Sequence, residues 1–327
     1  MIPITYEALR ELHDRSRSSR PFLKWAGGKR PFLVRYADRF PSLSGRYIEP
    51  FMGSASVFFF LKRIERRPFL SLLGDKNLQL VRTFLQVRDD PQMVLERLEA
   101  LKLNYYSSAD KAKHYVHIRE QYNNALPKVD AATFIFLNRT CWNGLYRVNR
   151  AGKFNVPHGM QKGGVSFPSE ADILNASASL AHAEIRAMTW QNTIAAAEPG
   201  DFVFVDPPYY SDCALDDTKY SREQFTMDSH KELARRLAGL ADRSVDFLLT
   251  NSAEPEVISL YQSYNFDIEL VSVSRFISSK IDGRVPTTEL IVRPSGSGGP
   301  RKLLLADELA EVVAALDDET DTTLTEL

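Results

Sequence analysis

The sequence predicts an α/β fold in which a doubly wound, mostly parallel β-sheet carries helices on both faces. Two observations predict it. An apolar segment that ends near Ile48 is followed by the turn-forming residues Pro50 and Gly53 and by a helical pattern from about Ser54. A second apolar run, FLSLLGD, ends in an acid at Asp75. A strand, a tight turn, a helix and a strand that ends in an acid open a nucleotide-binding sheet.

The other elements follow in chain order, separated by turn residues. Residues 1–20 are polar and predict a helical or loose lead-in. Helical periodicity covers about 81–124, whereas 131–160 begins apolar and continues as a hairpin-like stretch. Further strands are predicted at 201–205, 245–251, 268–276 and 288–293. The segment 294–300, PSGSGGP, predicts a linker, which precedes an amphipathic helix candidate and an acidic end.

The composition indicates a soluble globular protein. Hydrophobic residues make up 44% of the 327-residue chain and charged residues 25%, and a chain of this length predicts about two domains. No apolar run reaches the roughly 20 residues that span a bilayer, and the N-terminus shows no export signal. The two cysteines, Cys141 and Cys213, have no metal-binding spacing. We therefore expect no metal, no membrane partner and a cytoplasmic location.

The charge is distributed unevenly along the chain. Although the formal net charge is −1, residues 295–327 hold eight acidic and two basic side chains, which leaves 39 basic and 34 acidic ones in the rest of the chain. A mildly basic body permits contact with nucleic acid but does not demonstrate it.

The sharpest chemical signal is the segment Asp206-Pro207-Pro208-Tyr209, which directly follows the apolar run FVFV. Ligand sites of doubly wound sheets lie at the carboxyl ends of the strands, so Asp206 should point into a cleft. The prolines fix the backbone after it. The Asp206 carboxylate and the Pro207 carbonyl can then accept hydrogen bonds from the two N–H groups of an amine conjugated to an aromatic ring. The ring of Tyr209 can stack on that aromatic ring. This arrangement predicts activation of the amine by positioning and electrostatics.

A second cluster of chemistry-bearing residues lies between residues 138 and 159. Basic side chains alternate there with aromatic ones, namely Arg139, Arg147, Arg150 and Lys153 with Trp142, Tyr146 and Phe154. Guanidinium groups read guanine or hold phosphate, and aromatic rings wedge between bases or stack on them. The segment predicts a nucleic-acid contact, and the alternative is a charged, solvated β-hairpin.

Five motifs occur in an order that resembles a known family. They are KWAGGK, EPFMGSASVF, GDKN, NRTCWNGLYRVNRAGKFNVPHG and VDPPYY, within about residues 21–293. Together they resemble the DNA adenine-N6 methyltransferase (Dam-type) family, the α-ordered D12 class. The resemblance implies a Rossmann-like S-adenosylmethionine-dependent methyltransferase core with a mixed, mostly parallel sheet. It also implies an inserted, mainly helical DNA-recognition domain that carries a β-hairpin.

In this chain the implied division places the catalytic core at 1–85 and 185–294 and the recognition domain at 86–184. Residues 295–327 form the linker, the amphipathic helix and the acidic tail. The implied activity is methyl transfer from S-adenosylmethionine to the N6 amine of adenine in a short sequence of double-stranded DNA, with GATC as the expected target. The adenine would be flipped out of the duplex and methylated directly, without a metal.

The resemblance assigns residues to three roles. The implied catalytic residues are Asp206, Pro207 and Tyr209, and the implied cofactor-binding residues are Trp25, Lys29, Phe51, Gly53, Asp75 and Asp206. Gly53 lets the backbone approach a ligand, Asp75 can accept the ribose hydroxyls, and Lys29 would meet the methionyl carboxylate. Ala55 stands where the family pattern has a second glycine.

The implied DNA-binding residues are Lys24, Arg139, Trp142, Asn143, Leu145, Arg147 and Pro157. Trp142 resembles an intercalating aromatic that is commonly Tyr or Phe in the family, and Lys24 resembles a lysine that helps to read the first base pair. We expect a monomer, with a dimer on DNA as the alternative, and association with the nucleoid when DNA is bound. The sequence leaves open whether the enzyme serves a restriction–modification system or acts alone.

Two other functions remain as alternatives. One is a non-catalytic DNA-binding protein on a methyltransferase scaffold, which the intact Asp206, Tyr209 and Asp75 argue against. The other is methylation of a different planar amine or amide, such as RNA adenine, which the inserted hairpin argues against.

Overall fold

The computed structural model of the protein describes residues 18–65, 68–128, 130–159, 164–209, 225–274 and 286–296. Several expectations from the sequence lie outside these residues. They concern the lead-in before residue 18, Cys213, and the chain from 297 onward, with most of the predicted linker, the amphipathic helix and the acidic end.

The strands of the described residues form one seven-stranded sheet. They are β1 (Tyr47–Glu49), β2 (Ser71–Asp75), β3 (Ala183–Ala187), β4 (Phe202–Val205), β5 (Asp246–Ser252), β6 (Asp267–Ser274) and β7 (Pro286–Arg293). Their order is β3-β2-β1-β4-β5-β7-β6. Neighbours are parallel from β3 to β5, whereas β7 runs antiparallel to both β5 and β6. The predicted α/β fold with a mixed, mostly parallel sheet is confirmed.

Ten α-helices lie in the described residues. They are α1 (Arg30–Tyr36), α2 (Ser56–Ile64), α3 (Leu78–Asp89), α4 (Pro91–Ser107), α5 (Lys111–Ala125), α6 (Ala131–Thr140), α7 (Glu170–Leu180), α8 (Trp190–Ala195), α9 (Met227–Ala241) and α10 (Pro255–Gln262). Side-chain oxygens cap the first turns of most of them, and the capping residues are Asn77, Asp90, Asp110, Asp130, Ser169, Thr189 and Thr226. Such caps satisfy backbone N–H groups that have no partner within the helix, so the sequence fixes these starts locally.

The alternation of side chains along the strands builds a core on each face of the sheet. In β4, Phe202 and Phe204 belong to one buried cluster, whereas Val203 and Val205 belong to the other. The valine face packs against α8, α9 and α10, and the phenylalanine face packs against α1, α2 and α3. Helices on both faces are what a doubly wound sheet requires.

Helices α4 to α7 share the core of the phenylalanine face. The Phe84 ring on α3 lies 4.8 Å from that of Phe22 and 6.5 Å from that of Phe59 on α2, measured between centroids. Tyr115 on α5 and Phe136 on α6 are buried in the same cluster. The inserted helices and the sheet are therefore joined by one continuous apolar core.

Two secondary-structure elements lie across the expected domain boundaries. The division at residues 85 and 86 falls inside α3, and β3 begins at Ala183, two residues before the expected return to the core. Strand β3 is not among the strands predicted from the sequence. It is a short edge strand in which only Ala183 and Ile185 are buried, so it has little apolar signal of its own and is defined by its pairing with β2.

The hairpin-like stretch is irregular. Isolated bridges pair Cys141 with His158 and Val148 with Phe154. Between these bridges the Trp142 N–H donates to the Pro157 carbonyl at 2.9 Å. The apolar start of this stretch forms helix α6, and the hairpin follows directly after that helix. No helix within the described ranges is long and apolar enough to cross a membrane.

The shared core can be tested with Phe84→Ala. We expect this change to lower the free energy of unfolding by about 3–5 kcal/mol, because a buried ring is replaced by a cavity. Leu103→Ala removes a side chain that is 71% exposed and should change the unfolding free energy by less than about 0.5 kcal/mol. Urea denaturation followed by circular dichroism measures both. A separate early transition in the Phe84→Ala variant, with the main transition unchanged, would contradict one continuous core.

Candidate active site

The candidate site lies where the order of the strands reverses. The chain adds β2 and β3 on one side of β1 and then places β4 on the other side, so the carboxyl ends of β1 and β4 adjoin the switch point. Ligands of doubly wound sheets bind at this position. Three carboxyl side chains gather there, namely Glu49 at the end of β1, Asp75 at the end of β2 and Asp206 directly after β4.

The carboxylate of Asp206 is held from two sides. Lys29 Nζ lies 2.7 Å from Asp206 Oδ2, and the Thr250 hydroxyl donates to Asp206 Oδ1 at 2.9 Å. The Lys29 side chain is only 7% exposed, and that of Asp206 19%. Burial raises the pKa of Asp206 above its usual value, although the charges and hydrogen bonds of Lys29 and Thr250 act in the opposite direction. The position of this acid is therefore fixed before any ligand binds.

Lys29 is the positive centre of the site. Burial is the largest single effect and would lower its pKa, but the interactions with Asp206, Tyr209 and Glu289 together outweigh burial and raise the pKa of Lys29 above its usual value. The ammonium group also donates to the Gly27 carbonyl at 3.3 Å and lies 4.9 Å from the centroid of the Tyr209 ring. The loop before α1 is thereby joined to the segment after β4.

Tyr209 is bound through its hydroxyl. This group donates to Glu289 Oε2 at 2.9 Å, and Glu289, on β7, is only 4% exposed. Burial raises the pKa of Tyr209, so the phenol keeps its proton at neutral pH. The proline pair before Tyr209 and the hydrogen bond at the far end of the ring together restrict its orientation.

The turn after β1 closes on Asp75. The Gly53 N–H donates to Asp75 Oδ2 at 3.1 Å, and the Asn77 N–H donates to Asp75 Oδ1 at 2.8 Å. Burial raises the pKa of Asp75, and these two backbone bonds oppose the rise. Each carboxylate oxygen keeps a lone pair for a further donor. Gly53 has φ of +50°, and a Cβ there would lie 2.9 Å from Trp25 Cδ1, so the close approach of the turn to Trp25 requires glycine.

Ala55 adopts the backbone conformation that a glycine would favour. Its φ is 54° and its ψ 34°, in the left-handed region, and it is fully buried. The helix expected from Ser54 consequently begins at Ser56, because a left-handed residue cannot continue into a helix. The turn keeps its shape without the second glycine of the family pattern, although a left-handed alanine is strained.

Aromatic rings line the two ends of this turn. Trp25 stacks on Tyr146 of the hairpin with 5.7 Å between centroids. Phe51 stacks on Trp190 with centroids 6.1 Å apart and meets the edge of Phe225. The cofactor-binding candidates Trp25 and Phe51 therefore pack against rings that the sequence analysis did not assign to the cofactor.

The hairpin presents some of its predicted contact residues to solvent. Trp142 is 48% exposed, and Asn143 and Pro157 are exposed beside it. Asn143 has φ of 53°, which turns the chain directly after Trp142. In contrast, Phe154 is buried and Tyr146 is half-buried between Trp25 and Phe134. Of the aromatic residues that alternate with basic ones in this segment, Phe154 belongs to the core.

Three further residues predicted to contact DNA interact with other parts of the protein. Arg139 donates to the Phe22 carbonyl at 2.8 Å and to the Ser166 carbonyl at 3.4 Å. Arg147 Nε donates to Asn155 Oδ1 at 3.0 Å, and Leu145 packs against the core.

Lys24 lies at the junction between the hairpin and the loop before α1. Its backbone exchanges hydrogen bonds with the Asn138 side chain at 2.8 and 2.7 Å. Burial and the charge of Arg139 lower the pKa of Lys24. Gly144 has φ of +65° and packs against the Lys24 side chain, where a Cβ would clash. The hairpin is thus fixed to the loop that carries Lys29.

Three groups in the site are not predicted from the sequence. Glu49 is 3% exposed and accepts a hydrogen bond from the Tyr47 hydroxyl at 2.8 Å. Burial raises the pKa of Glu49 well above its usual range. The EPFMG motif contained the signal for Glu49, as an acid at the end of a strand. No local sequence pattern marks Thr250 or Glu289 as a site residue, because each lies inside an apolar strand. The pairing of β5 with β4 and β7 brings both residues to the site.

The charges at the switch point suit a ligand that carries both positive and negative charges. S-adenosylmethionine has a sulfonium, an ammonium, a carboxylate and two ribose hydroxyls. The carboxyl groups of Asp75 and Asp206 provide hydrogen-bond acceptors, and Lys29 provides a positive charge for a carboxylate. The residues present therefore fit this cofactor. Within the described part of the chain, no group of three or more His, Cys, Asp or Glu side chains could hold a metal ion.

The fold and the site together define a class of protein. A doubly wound sheet with a nucleotide-type cleft holds a fixed carboxylate, a rigid proline carbonyl and an oriented aromatic ring at its switch point. These groups suit an enzyme that transfers a group to the amine of a planar base.

The family model of the D12 class N6 adenine-specific DNA methyltransferases matches residues 25–276. The chain belongs to this family and is an adenine-specific DNA methyltransferase. The matched range includes the loop with Lys29, the hairpin and Asp206, which are the parts that build the site.

Several relatives match most of the chain. It is 33% identical over 279 residues to the Type II methyltransferase M.MjaIII of Methanocaldococcus jannaschii, covering 81% of this chain and 95% of that protein. It is 30% identical over 287 residues to the Type II methyltransferase M1.LlaDCHI of Lactococcus lactis subsp. cremoris, covering 85% and 96%. It is also 31% identical over 279 residues to the DNA adenine methylase of Escherichia coli K12, covering 84% and 95%.

The influence of Lys29 on Asp206 can be measured without any ligand. We expect Lys29→Met to raise the pKa of Asp206 further, because the change removes the positive charge that stabilises the carboxylate. Carboxyl carbon NMR of the labelled protein follows the titration. Lys62→Met is the matched control, since Lys62 is also largely buried but lies over the Phe69 ring. An Asp206 titration that Lys29→Met leaves unchanged would contradict the ion pair.

Proposed function

We propose that the enzyme transfers a methyl group from S-adenosylmethionine to the N6 amine of adenine in a short duplex DNA sequence, with GATC as the target. The observation that carries the proposal is the fixed position of Asp206 and Tyr209 at the switch point, next to acceptors suited to the cofactor. The E. coli relative is named a DNA adenine methylase, and two other relatives are named Type II methyltransferases.

In the proposed site the ribose hydroxyls and the carboxylate of the cofactor have protein partners. Asp75 would accept the ribose hydroxyls, Lys29 would meet the methionyl carboxylate, and Gly53 would let the turn approach the ligand. Trp25 and Phe51 would flank the cofactor. When bound, the cofactor supplies a methyl group on a positively charged sulfur.

The residues after β4 would activate the adenine amine. Asp206 accepts one N6 hydrogen and the Pro207 carbonyl accepts the other, which leaves the nitrogen lone pair free to point at the methyl group. Because Lys29 and Thr250 already hold Asp206, the carboxylate requires little reorganisation when the amine arrives. Tyr209 stacks on the base and restricts it to the reactive position.

The adenine of a duplex has to leave the helix before it reaches this site. Trp142 is the proposed wedge that fills the space the base leaves, since it is exposed at the turn of the hairpin. Lys24, Asn143, Leu145, Arg147 and Pro157 would contact the neighbouring base pairs. Arg139, which bonds two backbone carbonyls, would support the hairpin and reach DNA only with its remaining donors.

The proposed division of the chain keeps a catalytic core at 1–85 and 185–294 and a recognition segment at 86–184. The shared apolar core joins the two parts, so the hairpin is held at a fixed distance from Asp206. A monomer would then contain every group that the reaction needs.

The activity is tested by tritium transfer from labelled S-adenosylmethionine to unmethylated duplex DNA. Asp206→Ala should slow transfer by more than about 100-fold, because an oriented acceptor for the amine is lost. Asp242→Ala, which removes an exposed carboxylate after α9, should leave the rate unchanged. Sequencing of the modified bases should place N6-methyladenine in GATC. Equal labelling of RNA, or unimpaired transfer by Asp206→Ala, would contradict the proposal.

Base flipping is tested with 2-aminopurine in place of the target adenine. Binding of the wild-type enzyme should raise the fluorescence, because the unstacked base is no longer quenched. Trp142→Ala should reduce this rise, since no ring replaces the flipped base. Leu70→Ala is the control, because Leu70 is 61% exposed at the amino end of β2, away from the cleft. Normal methylation of duplex DNA with no fluorescence rise in the wild type would exclude flipping.

A further inference from the structure

Glu289 is a buried acid that enters the site from the antiparallel strand. It pairs with Ser252 on β5 and with Val271 on β6, which places it beside the carboxyl end of β5. Only 4% of Glu289 is exposed. A carboxylate taken out of water is costly unless it is paired or hydrogen-bonded. The residue that it bonds in the site is Tyr209, whose hydroxyl donates to Oε2 at 2.9 Å.

We infer that Glu289 is a positioning residue for methyl transfer, which acts by holding the Tyr209 ring through its hydroxyl. The inference rests on the proposed function, because it takes Tyr209 to be the ring on which the target base stacks. The inference assigns a role in the reaction to β7, which runs antiparallel to both of its neighbours in the sheet.

The geometry explains why the ring needs such a partner. Pro207 and Pro208 fix the backbone before Tyr209, but they do not set the rotation of the side chain about its own bonds. A hydrogen bond at the hydroxyl, the atom farthest from the backbone, restricts that rotation most effectively. Hydrogen bonds to a charged acceptor are also roughly twice as strong as neutral ones.

Lys29 restricts the same ring from one face. Its ammonium lies 4.9 Å from the ring centroid, and it also contacts Asp206. With one face of Tyr209 occupied by Lys29, a base has to stack on the opposite face. Glu289 and Lys29 together therefore determine where the adenine plane lies relative to the carboxylate that accepts its hydrogen.

The test is a double-mutant cycle of Glu289→Gln and Tyr209→Phe. Rates of methyl transfer are measured in single turnovers, with saturating S-adenosylmethionine and duplex DNA. Each change alone should slow transfer about tenfold, because each removes the charge-assisted hydrogen bond but keeps the ring. If Glu289 acts on the reaction through the Tyr209 hydroxyl, the double variant should be no more than about twofold slower than Tyr209→Phe.

A structural role would give a different pattern. The KM for DNA and the thermal midpoint should change little in Glu289→Gln, whereas a merely structural carboxylate would lower the midpoint and slow transfer in the Tyr209→Phe background as well. Additive effects in the cycle would overturn the inference. Glu269→Gln is the matched control, because this acid lies on neighbouring β6 and bonds Arg39 at 2.8 Å.

A second variant keeps the test decisive if Glu289→Gln does not fold. Glu289→Asp retains the charge but shortens the side chain by one methylene, so the carboxylate no longer reaches the hydroxyl. It should show the same loss of rate, and a wild-type rate would overturn the inference. If the wild-type protein itself transfers no methyl group to adenine, the proposed function fails. If the wild type is active and Glu289→Gln matches it, only the positioning role fails.

Discussion

The buried ion pair between Lys29 and Asp206 is the constraint on which the rest of the site depends. It joins a loop near the start of the chain to the segment after β4, at a distance of 2.7 Å between Nζ and Oδ2. A buried pair is tolerated only when its geometry is good and further hydrogen bonds satisfy both partners. Thr250 and the Gly27 carbonyl provide those bonds. The acid that we propose to activate the adenine amine and the lysine that we propose to meet the cofactor are thus positioned by the same contact.

The same loop also fixes the recognition hairpin. Trp25 stacks on Tyr146, and the backbone of Lys24 bonds Asn138 at the end of α6. Because Lys29 lies in the same loop and pairs with Asp206, a displacement of the hairpin would shift the position of Asp206 through these contacts. The continuous apolar core beneath the hairpin prevents it from moving as an independent domain. The hairpin and the loop that carries Lys29 are therefore joined by packing and hydrogen bonds.

Some of the site was predictable because its chemistry is encoded locally. Asp75 and Asp206 follow apolar runs, and an acid after a buried strand of such a sheet points into the cleft. Gly53 and the prolines after Asp206 fix backbone conformations that depend on their own residue types. Other parts could not be predicted. Glu289 and Thr250 lie inside strands, β3 has only two buried residues, and Phe154 resembles any aromatic residue of a basic hairpin until the core around it is known.

The sequence by itself determined the α/β class, the order of most strands along the chain and the motifs that mark an adenine-specific DNA methyltransferase. These features depend on periodicity, turn residues and short segments, all of which are read within a few neighbouring positions. Only the tertiary structure decided that Lys29 pairs with Asp206, that Glu289 bonds Tyr209 and that Arg139 bonds the Phe22 carbonyl. Those partners are separated by at least 80 positions in the chain, so their contacts exist only because the sheet and its core bring distant segments together.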